Sequence, residues 1–293
     1  MPITEGLISI RDTLLDGILG ISGRDVLNAG QPPIAHAGAD TAGEIRRAAN
    51  AFKAAAVDAS GTRVDYQALR QTPAYAEFRR ICTPMLRAFD PSSLSGRRER
   101  LAFWINLYNV LIIDAVIAYG IETSVAEGPL GLLRFFRRAA YVVGGLRVSA
   151  EDIEHGILRA NAGHPYLPGP QFASRDPRMA WVISPPDPRI HFALNCASRS
   201  CPPIAVYDAG RLDAQLDMAA ASFITQTLRV DVSRGEVWLS PIFRWYDRDF
   251  GGKAGVLETL VRHLPLHDER RALLQDPARL RIRYLPYDWS LNI

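Results

Sequence analysis

The chain has 293 residues, 48% of them hydrophobic and 22% charged, which excludes a disordered or fibrous protein. Its formal net charge of +3 is spread along the chain and carries no nucleic-acid signature. Three cysteines, Cys82, Cys196 and Cys201, are too few for a disulfide framework, so a reducing, cytoplasmic compartment is expected, with one bond between Cys196 and Cys201 left open.

Residues 1–20 carry Glu5, Arg11, Asp12 and Asp16 and lack the uninterrupted apolar core of a signal peptide. Within them Leu7, Ile10, Leu14, Leu15 and Ile18 recur at helical spacing, which predicts a short amphipathic helix. Residues 28–43 are rich in Gly, Pro and Ala and read as a linker. Residues 1–40 are therefore expected to be an arm or linker, and residues 41–293 one domain.

Helices are predicted over residues 41–56 and 73–89, with a short extended piece at Val64-Asp65-Tyr66. A long apolar helix starts after Ser95 and ends near Gly120. Its length would span a bilayer. Asn106, Asn109 and Asp114 interrupt it, and such groups are costly in lipid, so a buried core helix is expected and no membrane partner. Residues 135–138 follow on a helix or loop. Residues 141–148 read as a hairpin turning at Gly144-Gly145. Ser149 and Asp152 mark the cap of a helix running to about Ala160. Residues 179–184 and 190–194 read as short strands. A helix over 211–227, a hairpin over 229–240, helices over 256–263 and 268–275, and a late strand over 280–284 complete the chain. The fold class is α+β: a mostly helical single domain with short strands and β-hairpins.

The densest chemistry lies in Ile190-His-Phe-Ala-Leu-Asn-Cys-Ala-Ser-Arg-Ser-Cys-Pro-Pro203. A cysteine becomes a nucleophile when a base or a positive charge raises its thiolate fraction. His191 and Arg199 are near in sequence to Cys196. In an extended chain, however, His191 and Cys196 would stand about 16 Å apart on opposite faces. The pair works only if the loop folds back or another histidine serves. Packing cysteines are the rival reading. His155 shares a helix face with Glu151 and Arg159, four residues to either side, which suits a catalytic base or a solvated charged face. Asn106 and Asn109, three residues apart, suit structural support or contact with a substrate carbonyl. His191, Cys196 and Cys201, with His155 as a fourth group, could ligate zinc, although the cysteine spacing is not the usual one. The five tryptophans read as packing residues. No glycine-rich phosphate loop and no Gly-x-Ser-x-Gly elbow occurs.

Several blocks recur in an order similar to one family. They are Val64-Asp65-Tyr66, Phe103-Trp-Ile-Asn-Leu-Tyr-Asn109, Asp152-Ile-Glu-His155, Asp187-Pro-Arg through Pro203, and Tyr287-Asp-Trp-Ser-Leu-Asn292. From about residue 60 to residue 293 the chain resembles the domain of unknown function 547 family, which implies no assigned chemistry.

The residues themselves point first to a cysteine-dependent acyl-transfer or amide-hydrolysing enzyme. Cys196 would be the nucleophile and His155 or His191 the base, with Glu154 in the same block. Asn195 or a loop amide would steady the oxyanion. Asn106, Asn109, Arg199 and Ser200 would hold the ligand, a small molecule or peptide. No cofactor and no nucleic-acid partner are expected. Two alternatives stand beside this reading: a non-enzymatic peptide or small-ligand binding module, and the zinc site with Cys201 among its ligands.

Overall fold

The computed structural model describes residues 2–30, 40–276 and 280–293. The fold is built around one long helix. α1 (Pro2–Leu19) and α2 (Thr41–Ala56) precede it, and α3 (Arg97–Tyr119) is the apolar helix itself. The side chain of Glu99 accepts from the Gly96 N–H at its start, and Gly120, at φ +63°, closes it in the left-handed conformation that glycine adopts without strain. α3 is apolar on nearly all sides, so it can be stable only when surrounded. It is long and apolar enough to cross a membrane, and 94% of its most apolar stretch is instead enclosed by the rest of the fold. Helix α2 and the short segments at Tyr66–Arg70 and Pro73–Glu77 pack on one side of it.

The polar groups on α3 are tied down. Asp114, fully buried, accepts from the Tyr75 and Tyr141 hydroxyls, each at 2.7 Å, and pairs with Arg79 at 2.7 Å. Asn106 exchanges two hydrogen bonds with the backbone of Tyr207. A buried amide or carboxylate costs free energy unless partnered, and these are.

Helix α4 (Gly131–Arg138) leads into β1 (Ala140–Val143) and β2 (Leu146–Ser149), an antiparallel hairpin in which Val143 faces Leu146 across the Gly144-Gly145 turn. The predicted cap follows: Ser149 Oγ accepts from the Asp152 N–H, and Asp152 accepts from the Ser149 N–H. The segment it opens, Asp152–Leu158, is a π-helical turn. Helix α5 (Leu212–Thr227) and α6 (Gly252–His263) cover a second, three-stranded sheet. In it β3 (Arg229–Asp231) pairs antiparallel with β4 (Glu236–Leu239), and β4 pairs parallel with β5 (Arg281–Tyr284). The chain is thus α+β and mostly helical, as expected.

Two hydrophobic clusters result, one around α3 and one around Phe192, Phe243, Phe250 and the β3–β5 sheet. They meet at residues 190–194, where Ile190 belongs to the first and Phe192 to the second.

Some local expectations are corrected. Residues 179–184 and 190–194 are not strands: Pro177–Trp181 and Pro188–Phe192 are 3-10 turns. Each opens on Asp-Pro-Arg, with the aspartate accepting from the N–H two residues on. The predicted helix over 73–89 is broken, with a π-helical turn at Phe78–Cys82. α1 does form, but its apolar stripe faces outward: Leu7, Ile10, Leu14 and Ile18 are each more than half exposed. Its polar side does the docking, through Arg11 on the carbonyls of Pro168 and Pro170 and Asp16 on Arg137. The predicted linker falls largely outside the described residues. Asn28, at its start, is a buried anchor bonded to the Thr83 and Val142 backbone.

Candidate functional site

The segment 195–201 is a tight loop held from two sides. From α3, Asn109 donates to the Ala193 carbonyl at 3.0 Å and accepts from the Asn195 N–H at 2.9 Å. From the chain end, Asn292 N–H donates to the Ala197 carbonyl, and Arg199 N–H to the Ser290 carbonyl. Ser200 Oγ accepts from the Asp288 N–H. The first sequence block closes the set: the Tyr66 hydroxyl donates to Asn292 Oδ1 at 2.6 Å, and Val64 N–H to its carbonyl. Three blocks spread from residue 64 to residue 292 therefore support the loop of a fourth. Inside it Asn195 bonds the Pro202 carbonyl and the Ala197 N–H. Ala197, directly after Cys196, sits at φ +65°, a costly conformation for a residue with a side chain, and such strain gathers at functional sites.

Cys196 and Cys201 are joined by a disulfide, with their Cα atoms 6.2 Å apart. Cys196, expected as a free nucleophile, is therefore bonded in this structure. The pair is not buried packing alone: both residues line a cleft of about 620 Å³. The Ser198 hydroxyl lies 3.4 Å from the Cys196 sulfur and 3.2 Å from that of Cys201. The Tyr287 hydroxyl lies 3.4 Å from the Cys196 sulfur, and burial raises the pKa of that phenol.

His155, Glu154 and His191 line the same cleft as the two cysteines. Residues 188–192 form a turn rather than the extended strand expected. His191 Nε2 lies 2.8 Å from Asp249 Oδ2. Asp249 also takes two hydrogen bonds from Arg159. Burial alone would raise its pKa, but the hydrogen bonds from His191 and Arg159 and their charges outweigh that and bring it to about 2. Asp249 is therefore an acceptor, His191 Nε2 carries the proton, and His191 Nδ1 keeps a lone pair. Burial pushes the His191 pKa down, against the pull of Asp249. The ring stacks on Tyr246 at 3.9 Å.

His155 has the opposite tautomer. Arg159 Nη1, at 3.1 Å, can only donate, so it fixes His155 Nδ1 as the acceptor and leaves Nε2–H as a donor. Burial, and then the charge of Arg159, hold its pKa well below the usual histidine value. His155 is thus neutral and buried rather than part of a solvated face. Its expected partner Glu151 turns instead toward Arg137, and burial raises the Glu151 pKa to about 8. Glu154 accepts from the Tyr108 hydroxyl at 3.0 Å and from the Tyr246 hydroxyl at 2.6 Å.

Four of the residues expected to be catalytic, Cys196, His191, His155 and Glu154, line the same cleft. Asn195 is not among the lining residues, and its side chain closes the loop by bonding the Pro202 carbonyl and the Ala197 N–H. The four residues expected to bind ligand also lie off the cleft. Asn106 and Asn109 peg backbone, Ser200 holds the chain end, and Arg199 is exposed. Among the described residues, no group of three His, Cys, Asp or Glu side chains is placed to hold a metal ion, so the zinc reading gains no geometric support. Asp249 and Tyr246 are site residues that sequence reasoning misses. Trp245 and Trp289, read as packing, stack on each other and line the cleft.

No curated protein and no solved structure matches the chain. Residues 91–224 match the family model described as protein of unknown function, DUF547. That span holds three of the five blocks, with Val64-Asp65-Tyr66 and Tyr287-Asp-Trp-Ser-Leu-Asn292 outside it. The resemblance to that family, drawn from the motifs, is shown over residues 91–224.

Proposed function

We propose that the protein is a thiol-dependent enzyme of the acyl-transfer or amide-hydrolysing kind, with the cleft as its site. The observation that supports this is the convergence of Cys196, His191, His155 and Glu154 on that one cleft. The disulfide is then a resting form. An external low-molecular-weight thiol supplies the two electrons that convert it into two free thiols and is itself oxidised to a disulfide.

In the reduced form Cys196 gives its proton to a histidine and its sulfur attacks the acyl carbon. His191 suits the base better than His155, because its unbonded nitrogen carries a lone pair and Asp249 holds the other. The leaving group takes the proton back as its bond to the acyl carbon breaks. Water, or an amine acceptor, then releases the acyl group from sulfur. His155 Nε2–H is a donor available to a ligand oxygen. The test is hydrolysis of p-nitrophenyl butyrate with and without dithiothreitol. Turnover that needs the reductant and falls at least a hundredfold in Cys196→Ala is expected. Equal turnover in that variant contradicts the proposal.

A binding module is the second reading, supported by the apolar and aromatic lining, which is the usual character of a small-ligand pocket. In that case ligand affinity survives Cys196→Ala and no turnover is seen in either protein.

A further inference from the structure

The charge of the cleft wall narrows what it can hold. Among the described residues, no arginine and no lysine lines it. Its carboxylic side chains are Glu151 and Glu154, and its histidines 155, 164 and 191 are all held below the usual histidine pKa, burial being the first cause for each. Arg137 and Arg159 stand behind the wall and are already spent, on Glu151 and Asp16 and on Asp249. A carboxylate or phosphate ligand would therefore enter without a cation to meet it, at the cost of its hydration. Glu154 still has acceptor capacity beyond its two tyrosine donors, since a carboxylate offers about four lone-pair sites.

The rest of the wall is apolar or aromatic. Leu132, Leu133, Phe136 and Leu194 line it, with Trp245 and Trp289 stacked at 5.6 Å. At two lining positions the apolar surface reaches solvent: Leu130 is 55% and Tyr166 65% exposed. Leu130 sits at φ +57°, so the backbone holds this side chain in place at a steric cost.

We infer that the cleft selects an amphipathic organic amine: an apolar or aromatic body against the Trp245–Trp289 wall, and a protonated amine on Glu154. This rests on the cleft being the functional site, and it names the substrate or acceptor class. An aromatic wall adds cation–π attraction to the carboxylate's charge.

The test uses the full chain with Cys196→Ser and Cys201→Ser, so that thiol chemistry plays no part. Trp245 and Trp289 report binding by fluorescence. The probes are 4-phenylbutylamine, 4-phenylbutanol and 4-phenylbutyrate, which share one body and differ in the head group. The expected result is saturable quenching by the amine, at least tenfold tighter than by the carboxylate. Glu154→Gln should lower amine affinity about tenfold and leave the alcohol unchanged. Equal or tighter binding of the carboxylate overturns the inference on the parent protein alone, whether or not the Glu154 variant folds. Selective amine binding in a protein whose wild-type form shows no thiol-dependent turnover would keep the ligand class and discard the enzyme. Thiol-dependent turnover with no amine preference would do the reverse.

Discussion

Two sets of buried polar groups in this molecule are built differently. On α3, Asn106, Asn109 and Asp114 have their side chains matched to backbone or to tyrosine and arginine partners. In the cleft, His191 Nδ1, His155 Nε2 and part of Glu154 are left with hydrogen-bonding capacity unused among the described residues. The first arrangement holds a fold together. The second is oriented by Asp249, Arg159, Tyr108 and Tyr246, and its groups line the cleft. A buried polar group reads as structural when its partners saturate it and as functional when they only orient it.

The contrast sets an order of expected effects. Asp114→Ala should be the most damaging, at about 3 to 5 kcal/mol in chemical denaturation, because it strands Arg79 and two tyrosine hydroxyls. A loss under 1 kcal/mol would mean that the α3 set is not structural. Asn109→Ala should cost about 2 to 3 kcal/mol, since it leaves the Ala193 carbonyl and the Asn195 N–H unpaired. It should also loosen the Cys196 loop, visible as faster amide exchange over residues 193–198.

Asp249 ranks third. Its folded pKa of about 2 lies below the ordinary aspartate value of 3.8, so its stabilisation is full above pH 3.8 and disappears as pH falls through 2. At neutral pH the difference is worth roughly 2 kcal/mol. Asp249→Asn should lose that amount at pH 7 and approach the wild type near pH 2. A constant gap at all pH values would mean that the charge is not the source. Last, Leu14→Ser on the outward stripe of α1 should change stability by less than about 0.5 kcal/mol, because Leu14 is 60% exposed. A loss of 2 kcal/mol would show that this face is covered in solution.

Much of the architecture is legible in the sequence because its signals are local. Gly144-Gly145 fixes a hairpin, Ser149 and Asp152 cap each other, and the all-round apolar pattern of α3 calls for burial. The two false strands arose from apolar runs too short to have a readable period. The repeated Asp-Pro-Arg at 176–178 and 187–189 was the turn signal there. α1 shows a different limit: periodicity identifies an apolar face but not which way it points. The cleft is half legible. Residue type within the blocks marks Cys196, His191, His155 and Glu154. Asp249 and Tyr246 stay hidden because their partners lie 58 and 92 residues away, and only tertiary packing brings them in. Asn195 and Arg199 read as chemical by type alone, while in the structure Asn195 bonds within the loop and Arg199 is exposed.

The most direct test is the pH dependence of Cys196 alkylation by iodoacetamide in the folded Cys82→Ser, Cys201→Ser protein, which leaves one thiol. A thiolate forming well below the pH of free cysteine, and returning to the ordinary range in His191→Ala but not in His155→Ala, is the predicted result. Alkylation only after unfolding, or an unshifted thiol indifferent to His191, would contradict the thiol site.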